Sequence, residues 1–125
     1  MRITADAARE YFSHPTQIRK GGDPANLPAW AAYYAERGVC LLFHPMPSDG
    51  LWMVHIGVIP SAWGSVTGPA RELMAEAWAD LKMQRIVAWV PDTNRAVAAL
   101  CKRIGFEIDG RLPLARPLTL YGWRL

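Results

Sequence analysis

The chain has 125 residues, of which 51% are hydrophobic and 20% charged, and its formal net charge at pH 7 is +3. That is enough chain for one domain with a proper core and too little for two. It excludes a disulfide scaffold, because only Cys40 and Cys101 are present, and a membrane-spanning helix, because no apolar run reaches the ~18 residues a span requires. The basic residues are scattered, with only Arg19-Lys20 and Lys102-Arg103 adjacent, a pattern that suits a small anionic ligand better than nucleic acid. His14, His44 and His55 lack the close spacing of a zinc site, so no metal is expected. The opening MRITADAARE has no apolar core of the signal-peptide kind, and the expectation is a cytoplasmic protein with neither membrane nor nucleic acid among its partners.

In chain order, residues 5–12 predict a short helix begun by Thr4, with Ala8, Tyr11 and Phe12 on one side and His14-Pro15 as its stop. Residues 16–25 are polar and carry Gly21, Gly22 and Pro24, which reads as a mobile loop that would border a substrate entrance. Asn26 or Leu27 then caps a second predicted helix, with Trp30, Tyr33 and Tyr34 inward and Gly38 at its end. Two helices are therefore expected before any strand. The run 39–43 suits a buried strand, 45–50 a turn carrying Asp49-Gly50, and 51–59 the return strand of a hairpin. In that strand Trp52, Val54, Ile56 and Val58 face one way and Met53, His55 and Gly57 the other. Gly57 implies a bulge or a close backbone approach.

The best-supported element follows. Ala70, Leu73, Met74, Ala77, Trp78 and Leu81 recur at helical spacing, with Arg71, Glu72, Glu76 and Asp80 between them. Pro69 suits the first helical position and Gly68 or Thr67 the cap, so the helix is expected to start near Gly68. Its unpaired first-turn N–H groups, with Gly64 and Gly68 allowing close approach, make an anion site; the other reading is a surface loop followed by a core helix. Next come a buried strand over 84–90 stopped by Pro91, and a helix capped by Asp92 or Thr93 that carries Val97, Leu100, Cys101 and Ile104 before Gly105. Two strands close the chain. The sum is an α/β (α+β) sandwich whose mostly antiparallel sheet includes a right-handed β-α-β crossover. The six tryptophans are expected as core or as pocket walls.

The segments VHIGVIPSAWG, SVTGPARELM and IVAWVP, with the pattern of Asn94, Val97-Ala98, Gly105, Phe106 and Gly110, resemble the GNAT superfamily of acyl-CoA-dependent N-acetyltransferases, especially the small members common in bacteriophage genomes. The resemblance implies one GNAT-like domain over 1–125, a twisted sheet with a central crossover and helices on both faces. It implies acetyl-CoA as co-substrate and, as acceptor, a primary amine on a small molecule or protein, joined in a ternary complex. The family's pyrophosphate loop falls on Ser65, Val66, Thr67, Gly68, Pro69 and Ala70, with Ser65 where the family carries Arg or Gln. The strand ending near Val58 would splay to receive the pantetheine arm, an opening that Gly57 suits, and Asn94 matches the asparagine that contacts that arm, unless it is a helix-start side chain bonding the backbone. His55 is the candidate base, directly or through water, unless it is a core histidine; Cys101 stands where the family places a proton-donating tyrosine, unless it is a small core residue, and Tyr121 is the alternative donor. The competing implication is a binder of acetyl-CoA, or a structural phage protein, that keeps the fold without the chemistry. A homodimer through the last strand is also compatible.

Overall fold

The computed structural model describes residues 1–15 and 26–125. The expected loop at 16–25 lies outside the described residues. A two-residue strand, β1 (Arg2–Ile3), leads to Thr4, whose Oγ1 accepts from the Ala7 N–H at 3.1 Å. This cap starts α1 (Ala5–Ala8), which tightens into a 3-10 turn over Arg9–Phe12.

The helix expected over 26–38 is instead a strand, β2 (Ala32–Glu36), paired with β1 at Arg2↔Tyr34 and with β3 (Val39–Pro45) from Glu36↔Val39 to Ala32↔Phe43. The neighbours Tyr33 and Tyr34 are 1% and 0% exposed, yet they belong to two different cores. Only extended backbone sends adjacent side chains to opposite faces. Because both faces of this strand are covered, its apolar residues do not alternate with polar ones, and the chance spacing of Trp30, Tyr33 and Tyr34 mimics a helix. Gly38 is not a helix stop but half of a tight turn, with φ of 81° beside Arg37 at 45°.

β3 returns through a turn at Gly50 into β4 (Leu51–Val58). Then come α2 (Thr67–Asp80), β5 (Arg85–Pro91), α3 (Arg95–Ile104), β6 (Glu107–Leu112) and β7 (Leu118–Trp123). The seven strands lie in the order β1-β2-β3-β4-β5-β7-β6, and only β4 and β5 run parallel, joined by the crossover through α2. On one face Tyr34, Val39, Leu41 and Phe43 pack with Leu73, Met74 and Ala77 of α2 and with Leu100 and Ile104 of α3. On the other, Tyr33, Cys40 and Leu42 pack with Ala8 and Phe12.

Gly57 serves this second face. A Cβ there would stand 2.7 Å from the Tyr11 carbonyl oxygen, while the Cys40↔Gly57 register is unbroken. The close approach expected at Gly57 is present and a bulge is not. It makes room for the first helical segment rather than for an opening between strands. Two caps differ from expectation by a residue or two. α2 begins at Thr67 behind Val66, which offers no side-chain cap, and Pro69 is its third residue, where a missing N–H is still harmless. α3 is capped by Asn94, whose Oδ1 accepts from Val97 N–H at 3.3 Å, because Asp92 is engaged as acceptor for the Thr119 hydroxyl at 2.6 Å.

Candidate functional site

β4 and β5 are paired at three positions, Leu51↔Arg85, Trp52↔Ile86 and Met53↔Val87, and then separate. Past that point β5 keeps β7 as its partner as far as Pro91↔Leu118, and β4 keeps β3 as far as Val39↔Val58. A parallel ladder is the weaker kind per residue, and here it ends early. The result is a cleft of about 690 Å³, walled by Val54, Ile56 and Val58 on one side and Ala88 and Val90 on the other, with Leu100 and Cys101 of α3 beneath.

At one end this cleft meets the loop before α2. Gly64, Ser65, Val66, Thr67, Gly68 and Pro69 line a second hollow of about 410 Å³ together with Arg37 and Glu72. A Cβ built on Gly64 or Gly68 would meet nothing within 4 Å, so the corner is open. The unpaired N–H groups of the first helical turn, apart from Pro69, give it the partial positive charge of a helix start. Ala70 is different: it is fully buried, and its N–H donates to the Val66 carbonyl at 3.0 Å, so its role is to let the helix pack closely.

Two guanidinium groups stand beside this corner that the sequence did not single out. Arg103 of α3 donates from Nε to the Thr67 hydroxyl at 3.2 Å, and Arg37 pairs with Glu72 at 2.6 Å and Glu36 at 3.6 Å. Nothing in local spacing marks either one. They arrive through the packing of α3 on α2 and the turn between β2 and β3.

His55 lies on the face of β4 turned towards α1, and its Nε2 is 3.1 Å from the Nε2 of His44 on β3. Trp30 meets His44 edge-on at 5.9 Å, and His14 meets Trp63 edge-on at 4.7 Å. The His55 side chain is exposed, and the residue also borders the cleft. Even so, protein crowds it enough that desolvation first, and the charge of a protonated His44 second, hold its pKa below the ordinary 6.5. Its ring is therefore neutral at physiological pH and has a lone pair to offer.

The other candidates sit as follows. Cys101 lines the cleft but is 5% exposed, and burial pushes its thiol up to about 11. Asn94 borders the cleft with its carbonyl oxygen committed to the α3 cap. The Val58 carbonyl accepts from the Trp63 indole N–H at 3.3 Å, so one of its two lone pairs is already engaged. Tyr121 is 5% exposed within the main core beside Trp123 and does not border the cleft. Among the described residues no group of three or more His, Cys, Asp or Glu forms a metal site, and no helix is long and apolar enough to cross a membrane.

No family model and no curated protein sequence matches this chain. Solved structures do match. A GNAT-family acetyltransferase from Bacillus anthracis superposes with a TM-score of 0.71 at 12% identity, over 95% of this chain and 88% of that one. The RimL ribosomal-protein alpha-N-acetyltransferase in complex with coenzyme A gives 0.67 at 14%, over 97% and 85%. A spermidine N-acetyltransferase chimera that includes the Vibrio cholerae enzyme gives 0.57 at 16%, over 74% and 64%. The chain has the GNAT fold. It is a mixed α+β domain with helices on both faces of the sheet, and the cleft opens where β4 leaves β5, from Val54 onward. Identity this low speaks for the fold, and the chemistry has to be argued from the side chains.

Proposed function

We propose that the chain is an N-acetyltransferase that moves the acetyl group of acetyl-CoA to a primary amine within a ternary complex. The observation that carries this reading is the cleft itself: an apolar slot between parted strands, with helix-start amides at one end and a neutral imidazole beside it. A pyrophosphate suits the corner at Gly64, Ser65, Val66, Thr67 and Gly68, where Arg103 supplies the cation that Ser65 does not. The acyl arm then runs along Val54 to Val58, past Asn94 and Cys101.

The amine attacks the thioester carbonyl, and His55, directly or through one water, takes the proton that the attacking nitrogen must lose. The carbon–sulfur bond then breaks and the thiolate leaves. Cys101 is a poor donor to it, since a thiol held at about 11 gives up its proton less readily than an ordinary one, and water at the open mouth supplies that proton. The structural relatives act, by their names, on spermidine and on a ribosomal protein. The acceptor proposed for this chain is defined only as a neutral amine that reaches the His55 face.

The test is twofold. Acetyl-CoA should raise the melting temperature, and thiol release with a panel of amines should appear in the wild type and vanish in His55→Ala. A second reading, a binder of acetyl-CoA without turnover of the kind a phage genome could keep, is favoured by the Trp63 indole on the Val58 carbonyl and by the buried thiol at Cys101. Stabilisation by acetyl-CoA with no thiol release from any amine would select it.

A further inference from the structure

The Nε2 atoms of His44 and His55 lie 3.1 Å apart, while the ring centroids are 5.2 Å apart and the planes are 18° from parallel. The nitrogens are much closer than the centres, so the rings meet tip to tip and not face to face. Two lone pairs at that distance repel and two N–H groups collide, which leaves one proton between them as the arrangement that holds. Strand register creates the contact. Leu42 stands opposite His55 and His44 opposite Met53, which makes the two histidines diagonal neighbours on the face turned towards α1. Trp30 packs edge-on against the outer ring, and none of the ion pairs among the described residues involves either histidine.

We infer that His44 is a positioning residue that sets the tautomer of His55 and shares its charge, an inference that rests on the acetyl-transfer reading above. With Nε2 engaged by His44, the only atom of His55 able to take a proton from an amine is Nδ1. That lone pair exists only if the His55 hydrogen sits on Nε2 and donates to His44 Nε2, which in turn places the His44 hydrogen on Nδ1. When Nδ1 of His55 takes the amine proton, the pair carries one positive charge across the Nε2···Nε2 contact. It returns to neutral when either ring releases one proton to water. A second proton would set two imidazolium ions tip to tip, so the pair holds one charge at a time.

The experiment uses the full chain. Long-range nitrogen–proton NMR correlations at about pH 8 read the tautomers, and steady-state kinetics with acetyl-CoA and a reactive amine over about pH 5 to 9 compare wild type, His44→Phe and His44→Gln. The expected spectrum has the His44 hydrogen on Nδ1 and the His55 hydrogen on Nε2. In His44→Phe, kcat should fall about 10- to 100-fold, part of the ~10²–10⁴ that a positioned base contributes, with KM for acetyl-CoA within about twofold. His44→Gln, whose side-chain carbonyl can accept from His55, should recover most of kcat. Wild-type kcat in His44→Phe, equal losses in the two variants, or a His44 hydrogen on Nε2 would each overturn the assignment. The spectrum does not depend on turnover. A wild type with the expected tautomers that acetylates no amine would therefore overturn the proposed function and leave the pair standing, whereas turnover with the opposite tautomers would overturn the pair alone.

Discussion

β4 contains two regions that differ in a single respect. Over Leu51 to Met53 it is bonded to β5, and over 54–58 it is not, although apolar residues occur along both parts. At the bonded end Met53 and its partner strand reach the packed interior, with Ile86 0% exposed and Met53 9%, while Leu51 and Trp52 are partly buried. At the parted end Val54, Ile56 and Val58 are only partly buried and face empty space across the cleft. An apolar surface left open in this way costs stability, and the fold tolerates it because β3 holds the strand from its other side. Under the proposed function, stability and ligand capture fall to opposite ends of one strand, which makes them separable by mutation.

The largest expected effect is at the parted end. His55→Ala should lower turnover by ~10²–10⁴-fold with little change in melting temperature, the span that positioned acid–base groups usually contribute. In the wild type, activity should fall on the acid side as His55 takes a proton, along a limb lying below 6.5 because the folded protein disfavours the charged ring; the variant should lack that limb. At the bonded end the pattern should reverse. Ile86→Ala deletes a fully buried side chain and should cost ~2–5 kcal/mol in denaturant unfolding, while the protein that stays folded keeps its response to acetyl-CoA.

A smaller effect sharpens the contrast further. Gly68→Glu adds a side chain to open space, so the melting temperature without ligand should hold, but a carboxylate in the anion corner should erase the stabilisation by acetyl-CoA, ~2.7 kcal/mol at a hundred times Kd. Retained stabilisation in that variant would place the phosphates elsewhere. Least of all, Arg103→Ala removes an exposed cation and its bond to Thr67; a loss of about 1 kcal/mol in acetyl-CoA binding is expected, fading as salt is raised. Salt-independent loss would mean that Arg103 acts by holding the loop and not by its charge.

Where the sequence reading succeeded, the deciding interactions were short in range. The helix over Thr67–Asp80 declared itself by spacing, the hairpin by Asp49-Gly50, and the end of α3 by Gly105, whose φ of 108° few other residues adopt. The faces of β4 followed from simple alternation. The reading failed at β2, where burial on both sides erased the alternation that marks a strand, and at the cap of α3, where a tertiary bond from Thr119 withdrew Asp92 from the role it suits locally.

The site divides along the same line. Local chemistry was enough to place a helix start after Gly64, a histidine on the central strand and a crossover between parallel strands, because each depends on residues a few positions apart. Only the folded chain decided that β4 parts from β5 at Val54, that Trp63 donates to the Val58 carbonyl, that Arg103 reaches Thr67 and that His44 touches His55. Each of these joins elements through packing and register, and a linear pattern carries no record of which surfaces meet.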